Sequence, residues 1–205
     1  MQVRVRKERY SDGMPTKRCG WAKADNPSML DYHDREWGVP VHDDRKHFEF
    51  LMLEAAQAGL SWAIVLAKRE GYRRAFSEFD PQKIARYTGN RVDKLMLDPS
   101  IIRNRMKIEA AVHNAREFLA IQDEFGSFDS YCWGFVDGRP RLNRWKTMKD
   151  IPATSAESDA FSKDLKKRGF GFVGSTVIYA YMQAIGMVND HVFDCFRYRE
   201  VQPRE

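Results

Sequence analysis

The sequence predicts a mainly α-helical domain. Three observations carry that prediction. Apolar residues recur at three- and four-residue spacing over most of the chain, residues that start and stop helices bracket those stretches, and strand-like alternation is almost absent. The 205 residues are 43% hydrophobic and 31% charged, a globular composition with enough apolar material for a buried core. No apolar run approaches the roughly 20 residues that span a bilayer. The N-terminus is charged without an apolar segment, so it does not read as a secretory signal. These features point to the cytoplasm, where three scattered cysteines are thiols or metal ligands rather than a disulfide framework.

The elements follow in order. Residues 1–18 hold six basic residues against two acidic ones, most of the net charge of +5, and read as a flexible basic tail ahead of a single domain over 19–198. "CGWAKADNPSMLDYHDREWGVP" is rich in aromatic and turn residues, and Pro27 and Pro40 exclude one long helix. Asp43 or Asp44 caps a helix in which Phe48, Leu51, Met52 and Ala55 share a face until Gly59. A second helix follows Ser61 through Trp62, Val65 and Leu66. "DPQKIARY" opens another, with proline in its favoured first position. "SIIRNRMKIEAAVHNAREFLAIQDEF" reads as one long amphipathic helix. "SAESDAFSKDLKKRGF" is a capped helix ending in glycine, and "STVIYAYMQAIG" is a buried one.

Four constellations could carry chemistry. In "VNDHVFDCF", His191 and Cys195 would lie on one helical face and offer two corners of a tetrahedral metal site. Alone, such a pair is more simply a core histidine and a buried thiol. Cys19 and His33 form a second pair near the other end of the chain, and the two together make a closed Cys2His2 set. Cys132, between Tyr131 and Trp133, reads as core.

"RGFGFVGSTV" places glycines between two helices. There the backbone approaches a phosphate closely and the amides of the next helix face it, with Lys163, Lys166, Lys167 and Arg168 just before. An ordinary turn with a solvated basic face would look the same. Glu49 has Arg45 four residues earlier, a pattern that predicts a solvent-facing ion pair. Glu54 instead has Phe50, Leu51, Gln57 and Ala58 as helical neighbours, so it is a buried pocket acid or an edge glutamate reaching water. Trp21, Tyr32, Trp37 and Trp62 are core packing or a stacking platform for a flat, cationic base.

Taken in order, "RCGWAKADNPSMLDYHDREWGVP", "FLMLEAAQAGLSW", "IIRNRMKI", "LKKRGFGFVG" and "VNDHVFDC" strongly resemble the DNA-3-methyladenine glycosylase I family over roughly residues 18–198. The resemblance implies a helix-hairpin-helix glycosylase fold, with that motif at about 158–190, acting as a monomer on double-stranded DNA carrying alkylated bases. It implies hydrolytic excision of flipped-out N3-methyladenine. It also implies one structural zinc ion clasping the two chain ends through Cys19, His33, His191 and Cys195. The base-recognition glutamate falls on Glu54, the stacking tryptophan on Trp62 and the pocket tyrosine on Tyr32, with Trp21 and Trp37 as further pocket aromatics. Gln57, Gly59 and Leu60 fall in the turn that probes the gap left by the flipped nucleotide. Lys167, Arg168, Gly169, Gly171, Gly174 and Ser175 fall in the backbone grip.

Three positions depart from related patterns. Asn189 stands where many helix-hairpin-helix glycosylases carry a catalytic aspartate, which leaves Glu54 as the main functional carboxylate. Ser100 stands where a glycine is usual, and Gly171 where a basic residue is common in the hairpin. The last two bear on DNA affinity rather than on the reaction, and the basic tail would compensate for a lost phosphate contact.

Overall fold

Side-chain caps set most of the helix starts. The structure, a computed structural model, describes residues 16–202. Asn26 accepts the Met29 amide at 3.2 Å and Pro27 opens helix α1, Pro27–Arg35. Asp43 likewise starts α2, Asp44–Gln57, by accepting the Lys46 amide at 2.8 Å. Ser61 precedes α3, Trp62–Ala75, and Asp80 caps α4, Pro81–Ile84. Helix α5 is Gly89–Met96. Asn104 caps the long α6, Arg105–Phe125, which Gly126 ends at φ +82° in the left-handed conformation. Helix α7, Phe128–Trp133, follows a Ser127 cap, and Ser155 with Ser158 forms a reciprocal capping box at α8, Ala156–Lys167. Helix α9 is Ser175–Ala184 and α10 is Phe196–Glu200. Two two-residue strands, β1 (Arg141–Leu142) and β2 (Val188–Asn189), pair in parallel, with Arg141 opposite Val188.

Helix α2 is the centre of the molecule. Every residue from His47 to Ala56 is buried, because α3, α6, α7 and α9 all pack on it. A helix enclosed on all sides needs no polar face, which is why its apolar residues run together rather than forming one stripe. The three polar exceptions, His47, Glu49 and Glu54, therefore need partners or a purpose.

Several expectations need correction. The long helix begins at Arg105 rather than Ser100. Asn104 captures the Lys107 amide at 3.1 Å, while Ile101 is buried in the preceding turn. Glu49 is not a surface partner of Arg45. It is 3% exposed and bonded to Arg69 at 2.8 Å, Arg73 at 2.9 Å and Lys46 at 2.9 Å, because α3 packs across it. Arg45 lies instead 3.7 Å from Asp80. His191 and Cys195 do not share a helix, since a turn joins them and Cys195 caps α10. The tail expected over 1–18 lies outside the described residues for positions 1–15. Residues 17 and 18 belong to the folded body: the Lys17 carbonyl accepts the Phe196 amide, and Arg18 grips Asp34.

Candidate functional site: a base-sized pocket beside a Cys2His2 cluster

Cys19, His33, His191 and Cys195 converge, all buried, with their ligand atoms within 4.8 Å of one another. The Cys19 sulfur is 3.6 Å from His191 Nδ1. The Cys195 sulfur is 3.5 Å from both His191 Nδ1 and His33 Nε2. Tetrahedral metal–sulfur and metal–nitrogen arms of about 2.3 and 2.0 Å separate neighbouring ligands by about 3.5 Å, so the residues fit a metal of that kind. The other ring nitrogens are already engaged. His33 Nδ1 donates to Asp34 at 2.8 Å, and Arg18 holds that carboxylate in turn. His191 Nε2 donates to the Trp37 carbonyl at 3.0 Å. These bonds fix the tautomers that leave a lone pair facing the cluster, the usual support around a metal-binding histidine. The two facing thiols move in opposite directions: Cys195 is pulled down by Cys19 and by the two histidines, while Cys19 is pushed up by Cys195 and by burial.

A second group, His47, Asp129 and Cys132, fits a metal less well. His47 Nε2 lies 3.0 Å from Asp129 and its Nδ1 lies 2.7 Å from the Tyr181 hydroxyl, both hydrogen-bond spacings. The Cys132 sulfur is 3.9 Å from each ring nitrogen, so it lies in line with neither. This group is a hydrogen-bonded tie between α2, α7 and α9.

Beside the Cys2His2 cluster opens a cavity of about 380 Å3, lined by Trp21, Tyr32, Trp37, Glu54 and Trp62 among others. The four aromatics adjoin one another. Trp21 meets Trp37 edge-on at 5.1 Å and Tyr32 lies 5.3 Å from Trp62, while Trp37 meets His191 at 4.6 Å. Glu54 is 4% exposed, with no hydrogen bond or ion pair to the described residues. Burial alone pushes its carboxyl from the ordinary 4.5 up to about 8. Burial raises the Tyr32 phenol as well, reinforced by the nearby Glu54. The Trp62 Nε1–H is buried without an acceptor. A partnerless acid on an aromatic-lined cavity is a group placed for a ligand.

The structure thus brings together all five sequence-predicted pocket residues and all four predicted cluster residues. It adds Met29, Met148, Ile151, Pro152, Ala180 and Gln183 to the lining, with Gln57 at its edge. Met148 to Pro152 come from a short 3-10 turn, Met148–Asp150, and the two residues after it; the Thr147-x-x-Asp150 capping pattern that starts the turn was its one sequence signal. Gln183, a polar residue in an apolar helix, carried the same signal as Glu54. Asn189 faces away from the cavity's groups, its amide donating to the Tyr198 carbonyl at 2.9 Å. Its neighbour Asp190 is buried and accepts from Asn143, Trp145, Tyr179 and Gln183.

The remaining predicted contacts are distributed on two turns. Gly59 takes φ +81°, and Leu60 beyond it is 38% exposed. Lys107 donates from α6 to the Ala56 and Ala58 carbonyls at 2.7 and 2.6 Å, fastening this turn. In the α8–α9 connection, Gly169 takes φ +95° and Gly174 starts α9, while Lys163, Lys166 and Lys167 are exposed. Arg168 is committed to Glu124 and Asp164, at 2.6 and 2.7 Å. The Gly171 N–H and C=O both bond Asn114, and the Ser175 hydroxyl pairs with that of Ser158. Those groups are occupied, unlike the exposed lysines.

Fold and pocket define a mainly helical protein whose aromatic-lined cavity suits a flat ligand. The family model for methyladenine glycosylase matches residues 21–198. DNA-3-methyladenine glycosylase 1 of Escherichia coli (strain K12) is 48% identical over 187 residues, 91% of this chain and all of that protein. DNA-3-methyladenine glycosylase of Haemophilus influenzae is 46% identical over 180 residues, 88% of this chain and 97% of its own. The Staphylococcus aureus 3-methyladenine DNA glycosylase I, whose structure addresses 3-methyladenine recognition, superposes with a TM-score of 0.86. It is 35% identical over 93% of this chain and 98% of that one. The chain belongs to the methyladenine glycosylase family.

Proposed function

We propose that the protein flips N3-methyladenine out of double-stranded DNA and hydrolyses its glycosidic bond, the opening step of base excision repair. The observation that carries this reading is the partnerless Glu54 carboxyl in an aromatic-lined cavity. Methylation at N3 makes the base cationic, so it leaves without being protonated by the enzyme. The protein has to extrude the base, hold it and favour an oxocarbenium-like sugar as the bond breaks. A cation in the cavity offsets the burial that keeps Glu54 protonated. The resulting carboxylate accepts from the adenine's exocyclic amine. Trp62 and Tyr32 pack on the flat base, with Trp21 and Trp37 completing the aromatic wall.

Gln57, Gly59 and Leu60 enter the gap left in the duplex. The exposed Lys167 and the backbone of Gly169, Gly174 and Ser175 approach the phosphates. Arg168 and Gly171 shape that turn through the partners they already hold. The Cys2His2 cluster holds one zinc ion, which ties the chain ends together. Four protein ligands leave no position for a reacting water, so the metal's part is structural. The protein acts as a monomer in the cytoplasm.

The test is chromatography of free bases released from methylated duplex DNA by wild type and Glu54→Gln, with zinc content measured on both. Release of N3-methyladenine by wild type and its loss in a folded, zinc-loaded variant is expected. A zinc-loaded wild type that binds DNA and releases nothing would reduce the protein to a binding module.

A further inference from the structure

We propose that Gln183 is a specificity-determining residue whose side-chain oxygen accepts the second hydrogen of the adenine's exocyclic amine and rejects guanine. This rests on the functional reading above and deepens it.

Asp190 holds the Gln183 amide in place. Its carboxylate is 1% exposed and all its approaches are taken: Asn143 Nδ2 and Trp145 Nε1 donate to Oδ1, each at 2.7 Å, and Tyr179 and Gln183 donate to Oδ2 at 2.8 and 2.7 Å. The atom that meets Asp190 is Gln183 Nε2, so the amide presents its NH2 group there and not its oxygen. That contact removes the two-fold ambiguity of a glutamine amide. Oε1 is turned away from Asp190, on a residue that lines the cavity with Glu54, Tyr32 and Trp62. It takes no hydrogen bond from the described residues.

The chemistry of the base supplies the rest. An exocyclic amine carries two hydrogens, and one carboxylate oxygen satisfies one of them. In a closed aromatic cavity the other hydrogen would be stranded, at a cost typical of an unmet buried donor. The Gln183 oxygen is the other acceptor on the cavity with its orientation fixed. Guanine carries a carbonyl oxygen in place of the amine. Opposite Gln183 it would set two acceptors against each other, and Asp190 prevents the amide from turning to relieve them. A site built to hydrogen-bond a group discriminates far better against an analogue lacking it than an apolar pocket does.

The experiment uses the full-length, zinc-loaded protein and methylated duplex DNA containing both N3-methyladenine and N3-methylguanine. The share of N3-methylguanine among released bases is compared for wild type and Gln183→Met, which keeps the length and loses the acceptor. The expected result is a rise in that share of about tenfold, the effect of one exchanged hydrogen bond. Continued N3-methyladenine release with an unchanged share overturns the inference and leaves the functional reading standing. A wild type that releases neither base overturns both.

Should Gln183→Met fail to fold, inhibition of wild type by free 3-methyladenine and by its N6-methyl derivative decides. Use of both amine hydrogens predicts inhibition at least about tenfold weaker by the derivative. Equal inhibition overturns the proposal.

Discussion

Glu54 illustrates how one buried residue gives a protein a pH dependence of its own. Its carboxyl is raised to about 8 by desolvation, with no opposing partner. The folded state thus keeps a proton that the unfolded chain releases from about pH 4.5 upward. Stability contributed below the unfolded value is lost as pH rises toward the folded one. Glu54→Gln removes this loss. The stability advantage of the variant should grow by about 1.4 kcal/mol per pH unit between roughly pH 5 and 8, as read by urea unfolding at several pH values. An advantage that stays constant would mean that Glu54 ionises in the folded protein as it does in water.

Activity should move the other way. Because the cationic base binds the ionised form, kcat/KM for excision should climb with pH and level off above about 8. A profile flat from pH 6 to 8 would refute a protonated resting Glu54.

At the scale of elements, two fastenings position the site. Helix α2 has no basic residue in its last turn, and Lys107 from α6 supplies the missing cation at its C-terminal carbonyls. Lys107→Met should cost about 1–3 kcal/mol and speed amide exchange in residues 57–60, with the core of α2 unaffected. Exchange rates unchanged in that turn would show that Gly59 alone holds it.

The second fastening is Gly186, after α9. It sits at φ +74°, and an added Cβ would lie 2.5 Å from backbone atoms of Val39 and Pro40. Only glycine suits both the conformation and the approach. Gly186→Ala should cost roughly 3 kcal/mol or more, seen as a lowered melting temperature. A loss below about 1 kcal/mol would show that the 38–41 segment yields.

Across the whole molecule, the Cys2His2 cluster joins residue 19 to residue 195 and touches the pocket through Trp37. Closing so long a loop through a bound metal would restrict the unfolded chain strongly and add directly to folding stability. Chelation should lower the melting temperature and abolish excision together. Asp34→Asn, which weakens the bond orienting His33, should reduce metal affinity about 10- to 100-fold by competition with a chromophoric chelator. Folded, inactive apoprotein would point to a more direct role of the metal in the reaction. The proposed role of the basic N-terminal segment in DNA binding belongs to the same scale. Removing residues 1–16 should weaken DNA binding and flatten its dependence on salt, and unchanged affinity would exclude the tail from the interface.

By itself the sequence determined the helical class, most helix starts and stops, and the residue types of the cluster and the pocket. Those are local or ordered signals: Asn, Asp and Ser capping the next turn, apolar spacing, and motifs in a recognisable order. The tertiary structure decided what depends on contacts between distant segments. It chose the buried alternative for Glu54, because α2 is enclosed on every side, and it moved Glu49 from the surface into a cluster with Arg69 and Arg73. It paired Arg168 with Glu124 and Asp164 and fixed the amide of Gln183 through Asp190. A side chain's partners across the chain set its protonation, its orientation and its freedom to meet a ligand, and neighbours in sequence do not specify them.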